Sequence, residues 1–253
     1  LVDRALEWRL AGRRRSLAPS RAYQLRLKAP RAILRHAEAA YLPERQLFEA
    51  RRQYLVCACA AFESYWRDMV REIVDSLGAS EALLRSLQRH NFSFADLKYI
   101  LGRRLQISEL VACSYTFQHP DAVNRALSDC LSIDAFKEFS ESRYRIIEVP
   151  RKNRRSLRPL AQTEVSGEEM ALRRIPEIEQ CFRIRHEAVH HTGHRHRLSV
   201  RDVYRLENAL WIFNDLLGMF IDLKVRSQKR HSLKRQNDKD KHHIGAQKDV
   251  GAR

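Results

Sequence analysis

Residues 43–78 read PERQLFEARRQYLVCACAAFESYWRDMVREIVDSLG, and the spacing of their apolar side chains decides the fold class. Leu55, Ala58, Phe62, Trp66, Met69, Ile73 and Leu77 recur at steps of three and four. That period places them on one stripe of a long helix, because 3.6 residues complete a turn. Pro43 suits the first turn, where its missing N–H is no loss, and Gly78 is expected to stop the helix in the left-handed cap position. Trp66 falls on the stripe and is expected in the core.

The same signals continue outward. Ser80 is expected to cap a helix over 81–89, Ser93 with Asp96 to open one over 94–102, and Pro120 to begin one reaching Leu131. Asp134 is expected to cap another through Arg145. Ser166-x-x-Glu169 forms a capping box, and a helical pattern behind it runs to His190 or His191 with a bend at Pro176. Gly193 breaks the chain. Ser199 with Asp202 then opens a last long helix, whose stripe of Val203, Leu206, Leu210, Phe213, Leu217 and Phe220 fades near Arg226. Trp211 lies beside this stripe and is likewise expected in the core. Only Ile107–Tyr115 and Arg145–Val149 have strand character. The expected class is therefore all-α.

Composition agrees. The 253 residues contain only 8 Gly and 7 Pro, while 44% are hydrophobic, enough to fill a core. No apolar run is long enough to span a bilayer, and the first residues do not resemble a signal peptide, so a cytoplasmic protein without membrane contact is expected. Five cysteines at irregular spacing (Cys57, Cys59, Cys113, Cys130, Cys181) read as reduced, buried thiols.

The net charge of +16 is localised. Residues 1–43 carry ten Lys/Arg against three acids, 143–158 seven against one, and 227–253 eight against three. The rest of the chain is close to neutral. Concentrated positive charge suits a polyanion, because each neutralised phosphate releases condensed counterions, and RNA is the expected partner. Arg154 and Arg155 in the segment VPRKNRRSLRPLAQT (149–163) are candidate RNA contacts, in what reads as a basic loop. The tail 227–253 has almost no large apolar residues and is expected to be disordered.

Five of the eleven histidines crowd into RIRHEAVHHTGHRHR at 183–197. One reading is a metal site. HEAVHHTGHRH matches H-E-x-x-H-x-x-G-x-x-H, with His186, His190 and His196 as zinc ligands and Glu187 as general base. That string resembles the metzincin proteases. However, the sequence ahead of it reads helical where such an enzyme needs a sheet, the Met-turn is missing, and Arg183, Arg185, Arg195 and Arg197 oppose a divalent cation.

A second reading begins one residue earlier. Arg185 and His190 stand five apart, so they flank one face of a helix from which a long Arg and a shorter His could reach one pocket. Imidazole can move the 2′-hydroxyl and leaving-oxygen protons, while guanidinium holds phosphate oxygens. This pairing needs no metal. The plainest reading is an ordinary exposed face of a basic helix.

The segment Arg185-His186-Glu187-Ala188-Val189-His190 resembles the HEPN superfamily signature of Arg, a polar residue, three spacers and His. Its place ahead of a long closing helix, and the early helix CAAFESYWRDMVREI at 59–73, are similar to the relatives found in prokaryotic defence systems. The resemblance implies a HEPN-like helical bundle with additional helices inserted between the first core helix and the motif helix. That bundle would occupy 44–226, after a basic, partly helical extension at 1–43, and the resemblance itself touches about 44–77 and 170–226. It also implies a metal-independent endoribonuclease, usually a homodimer with a composite site, in which Arg185 binds phosphate and His190 is the acid/base. His186 would shape the site. Glu63 matches an acidic residue that holds the motif Arg, although the more ordinary reading is a surface pair with Arg67 one turn on. Arg183, His191, Arg195 and Arg197 are candidate RNA contacts. An antitoxin or defence-system partner is a further implication. A non-catalytic nucleic-acid-binding or toxin–antitoxin module remains the alternative outside enzymology.

Overall fold

Helices α1 (Pro19–Ala39) and α2 (Glu44–Leu77) form the first antiparallel pair of the structure, a computed structural model describing residues 3–5, 18–147, 162–190 and 198–250. Short helices follow: α3 (Glu81–Gln88), α4 (Phe94–Arg103), α5 (Ile107–Ser114), α6 (Pro120–Leu131) and α7 (Ala135–Glu141). An antiparallel ribbon of β1 (Arg143–Ile147) and β2 (Gln162–Ser166) leads to the one-turn α8 (Gly167–Met170). The chain closes with α9 (Ile175–His190) and α10 (Val200–Val250). The protein is mostly helical, in keeping with the expected all-α class.

The apolar stripe predicted on α2 is the axis of the core. Leu55, Ala58, Phe62, Trp66 and Ile73 are buried, and α1, α5, α9 and α10 all pack on this helix. Phe62 and Trp66 meet Phe213 of α10 with ring centroids 5.9 Å apart in each case. The approach of α10 to α2 depends on a glycine. A Cβ on Gly218 would lie 2.0 Å from Tyr65 Oη, whose hydroxyl donates to the Asn214 carbonyl at 2.7 Å. Part-buried ion pairs tie α1 to the rest: Arg26 to Asp68 of α2 at 3.0 Å, and Arg31 to Glu207 of α10.

Most helix starts follow their caps. Ser80, Ser93 and Asp134 accept from Leu83, Asp96 and Lys137 backbone N–H groups, and Ser166 with Glu169 completes a capping box. Ser199 and Asp202 exchange the same pair of bonds ahead of α10, and the Ser199 hydroxyl and then its backbone N–H, both donating to the Asp202 carboxyl, hold that carboxyl below the usual range.

Several details depart from the sequence expectation. Ile107–Tyr115 is not a strand: Ile107–Ser114 is helical, because Gln106 and Glu109 form a capping box and Leu110, Val111 and Ala112 are buried together. The Asp134-capped helix stops at Glu141, since Arg143 already pairs with Ser166 in the ribbon; the strand character near Arg145 is real but begins two residues earlier. Pro176 does not bend a helix. It sits in the first turn of α9, where proline is tolerated, and the break lies ahead of it in the 3₁₀ turn Leu172–Arg174. Gly78 has φ 84° and ψ 171°, a positive φ that glycine favours but an extended ψ rather than a left-handed helical one. Cys57 is exposed, unlike the other four cysteines, because it points away from the α2 stripe. The backbone of α10 continues helically to Val250, beyond the fading of the stripe at Arg226, where an unstructured tail was expected. That extension is rich in Lys, Arg and Gln, lacks proline, and meets its first glycine at Gly245. No helix among the described residues is long and apolar enough to cross a membrane.

Candidate functional site

The inward face of α9 carries Ile178, Cys181 and Phe182, all buried, and Phe182 meets Phe62 edge-on at 5.6 Å. Arg185 lies one turn beyond Cys181 and so continues toward α2, while Glu63 lies one turn beyond Cys59 on the facing helix. The two side chains form an ion pair across the helix interface. Glu63 is 6% exposed, and its second oxygen also accepts from Arg67 Nη2 at 3.2 Å. Both readings of Glu63 are thus present together: it pairs one turn along its own helix and holds Arg185. It is a buried group, not a surface one.

Both ends of the 191–197 connection are anchored to α2. Arg52 Nη2 donates to the Ala188 carbonyl at 3.4 Å, and the buried Arg51 donates to the Leu198 carbonyl at 3.1 Å. Arg51 is held in turn by Glu44 at 3.0 Å. The motif helix and the start of α10 therefore keep their places relative to Glu63.

Arg185 and His190 line one cleft of about 520 Å³, together with Arg183, His186 and Glu187 of the same helix. His186 and His190, one turn apart, have ring centroids 4.6 Å apart and planes inclined at 47°. Phe182 forms an apolar part of the wall. The far side is supplied by Gln118 and His119, just ahead of α6. These two were not anticipated; the only sequence signal was a histidine beside the proline that starts a helix. Three imidazoles and two guanidiniums thus face a single concavity that also carries Glu179 and Glu187. Imidazole can accept or donate a proton near neutral pH, and guanidinium offers five N–H donors to an oxyanion, so the chemistry best served is proton transfer on a phosphate ester.

His191, Arg195, Arg197, Arg154 and Arg155 lie outside the described residues, as does His196, the third ligand of the zinc reading. His186, Glu187 and His190 do share the cleft, but among the described residues no group of three potential ligands is arranged to hold a metal ion. The only sheet among those residues is the two-stranded ribbon.

The shared carboxylate gives an asymmetric expectation for stability. Glu63→Gln strands Arg185 and Arg67 beside a neutral amide and is expected to cost about 2–4 kcal/mol. Arg185→Ala should cost about 1 kcal/mol or less, because Glu63 keeps Arg67. Urea unfolding of the two variants checks this, and equal losses would show that Arg67 does not compensate.

Comparison with protein-family models, with curated proteins and with solved structures gave no match.

Proposed function

We propose that this protein is a metal-independent endoribonuclease of HEPN type, with Arg185 on the phosphate and His190 as the acid/base. The observation that carries the reading is the pairing of Arg185 with the buried Glu63 at the edge of a cleft that also holds His190. An arginine on an ordinary solvated face has no need of a buried carboxylate from another helix. Here the guanidinium is oriented before any ligand arrives, which is what electrostatic stabilisation of a transition state requires.

In the proposed reaction the 2′-hydroxyl oxygen attacks the adjacent phosphorus while an imidazole removes its proton. The bond from phosphorus to the 5′-oxygen breaks, and a protonated imidazole returns a proton to that oxygen. The products are a 2′,3′-cyclic phosphate and a 5′-hydroxyl, with no change of oxidation state and no water consumed. Arg185 neutralises the charge that grows on the non-bridging oxygens. His186, its ring tilted against that of His190, is placed to hand protons on, and Arg183 to contact the neighbouring phosphate. Glu63 acts through Arg185 and is a positioning residue. The HEPN resemblance further implies a homodimer in which two motif helices share a composite site, and an antitoxin or defence-system partner.

The test is cleavage of end-labelled RNA in excess chelator, with analysis of the new ends. Undiminished cleavage giving cyclic phosphate and 5′-hydroxyl ends is expected. Activity that disappears in chelator would overturn the mechanism and favour the zinc reading through His186, His190 and His196. Salt-sensitive RNA binding without cleavage would favour the non-catalytic module.

A further inference from the structure

A second surface, on the opposite flank of α9 from the histidine cleft, brings together side chains of a different chemistry. α10 presents Arg201, Tyr204, Arg205, Asn208 and Trp211 along one exposed face, and Gln24 and Arg31 of α1 form the facing wall of an open groove of about 790 Å³. Trp211 is 42% exposed and Tyr204 is 41% exposed, whereas Trp66 is fully buried. The two aromatics are seven residues apart, so they stand two turns apart on the same face. The expectation that Trp211 belongs to the core therefore fails. Its neighbours Leu210 and Phe213 take the core positions, and the indole is left on the surface beside cations.

The groove is rigid at its base. Arg31 pairs with Glu207 and donates from Nε to Tyr54 Oη at 3.4 Å, so the wall and floor are cross-linked. Arg205 is steadied by Gln180 of α9 at 3.0 Å. Arg31, Arg201 and Arg205 outnumber Glu207, the one acid among the described lining residues, and although Arg205 also pairs with Asp202 at 3.9 Å, Arg201 adds a further positive charge.

We infer that this groove binds single-stranded nucleic acid, with bases stacked on Trp211 and Tyr204 and phosphates held by Arg201 and Arg205. Aromatic faces alternating with cations at helical spacing suit an unpaired strand, whose bases expose their π-faces, and not a duplex, whose bases are stacked on one another. A second copy of the chain is a poorer occupant. A two-fold contact would bring these arginines toward their own counterparts, and interface centres are depleted of charge. The inference adds a binding surface to the ribonuclease reading, but it concerns affinity alone.

The test therefore uses a strand that cannot be cut through a 2′-hydroxyl. Anisotropy of a labelled twelve-nucleotide oligodeoxyuridine should report binding to the wild-type protein. Trp211→Ala should weaken it about tenfold, Tyr204→Ala by a similar factor, and Trp211→Phe should retain most of the affinity. Arg201→Gln with Arg205→Gln should lower the slope of log affinity against log salt by about 1.4. Arg85→Gln, on the exposed surface of α3, should leave binding unchanged, which separates the groove from general surface charge; loss of cleavage activity in any variant has no bearing on the result. The inference is overturned if wild type does not bind the strand, if Trp211→Ala binds within twofold of wild type, if a duplex of the same length binds as tightly, or if Trp211→Ala only converts a dimer to a monomer.

Discussion

Replacing His190 with alanine is expected to lower the rate of RNA cleavage by about 10²–10⁴-fold, the range spanned by the loss of a general acid or base. His190 is exposed and faces the cleft, so the substitution removes an imidazole without opening the core. Binding of uncleavable RNA should change little, and the loss should appear in the single-turnover rate. Arg185→Ala is expected to lose a similar factor for a different reason, the removal of charge that faces the phosphate. Arg185→Lys should recover little of it. An ammonium retains the charge but not the planar fork that engages Glu63 and an oxyanion together. His186→Ala is informative because its ring lies against that of His190. If the two pass one proton between them, the double variant should be little worse than His190→Ala alone, since groups that act as a unit give non-additive losses. Cleavage that survives both His190→Ala and Arg185→Ala would remove the basis for the mechanism.

The parts of this fold that were legible in the sequence are those in which one local signal meets no rival. The α2 stripe is an example: of seven apolar residues at helical spacing six are buried on one helix, where Tyr54, Cys59, Ala61, Tyr65, Val70 and Val74 widen the core face. The Ser93, Ser166 and Ser199 caps are others, because a hydroxyl and a carboxylate three residues apart satisfy each other's backbone N–H groups without help from the rest of the chain. Failures arose where a short apolar run had two possible periods. Ile107–Tyr115 contains Ile, Leu, Val and Tyr, which suit a strand, but its burial against α2 and the Gln106–Glu109 box favour a helix. Trp211 illustrates the same limit on a single residue. Its place beside the stripe left its side undecided by one helical step, and only the assembled packing, with Leu210 and Phe213 turned inward, shows that it is exposed.

The candidate site was legible on α9 alone. The Arg185/His190 spacing could be read directly, and the link from Glu63 to Arg185 required a resemblance, since nothing in the chain between 63 and 185 states that these helices touch. Gln118 and His119 carried no usable signal. They belong to a loop whose position depends on how α5 and α6 both pack on α2, a long-range outcome that no local pattern encodes. The partition of charge behaved differently again. It identified basic segments, whereas the arginines of the histidine cleft, and Arg201 and Arg205 of the groove, come from helices in the near-neutral body of the chain, with Arg31 of α1 the exception.

Trp66→Ala is expected to remove about 3–5 kcal/mol of stability, a large share of the 5–15 kcal/mol that holds a typical domain. Trp66 is fully buried and makes edge-on ring contacts with Tyr65 at 5.0 Å, Phe213 at 5.9 Å and Phe62 at 6.2 Å. Those partners lie on α2 and α10, and Phe62 also meets Phe182 of α9, so the cavity would open where three helices converge. Surrounding side chains have little freedom to fill it, because Gly218 already brings α10 against Tyr65 as closely as backbone geometry allows. Trp66→Phe should behave very differently. The indole Nε1 is buried without a hydrogen-bond partner among the described residues, and an unsatisfied donor of this kind costs about 1–3 kcal/mol. Phenylalanine loses some contact area but also removes that donor, so the two effects oppose each other and the net change should stay below about 1.5 kcal/mol. Urea unfolding followed by far-ultraviolet circular dichroism measures both variants without relying on the tryptophan itself. A loss under 1 kcal/mol in Trp66→Ala would mean that α2 is not the axis of the core. A loss in Trp66→Phe equal to that in Trp66→Ala would mean that the indole nitrogen has a partner and that its hydrogen bond, not ring packing, holds the three helices together.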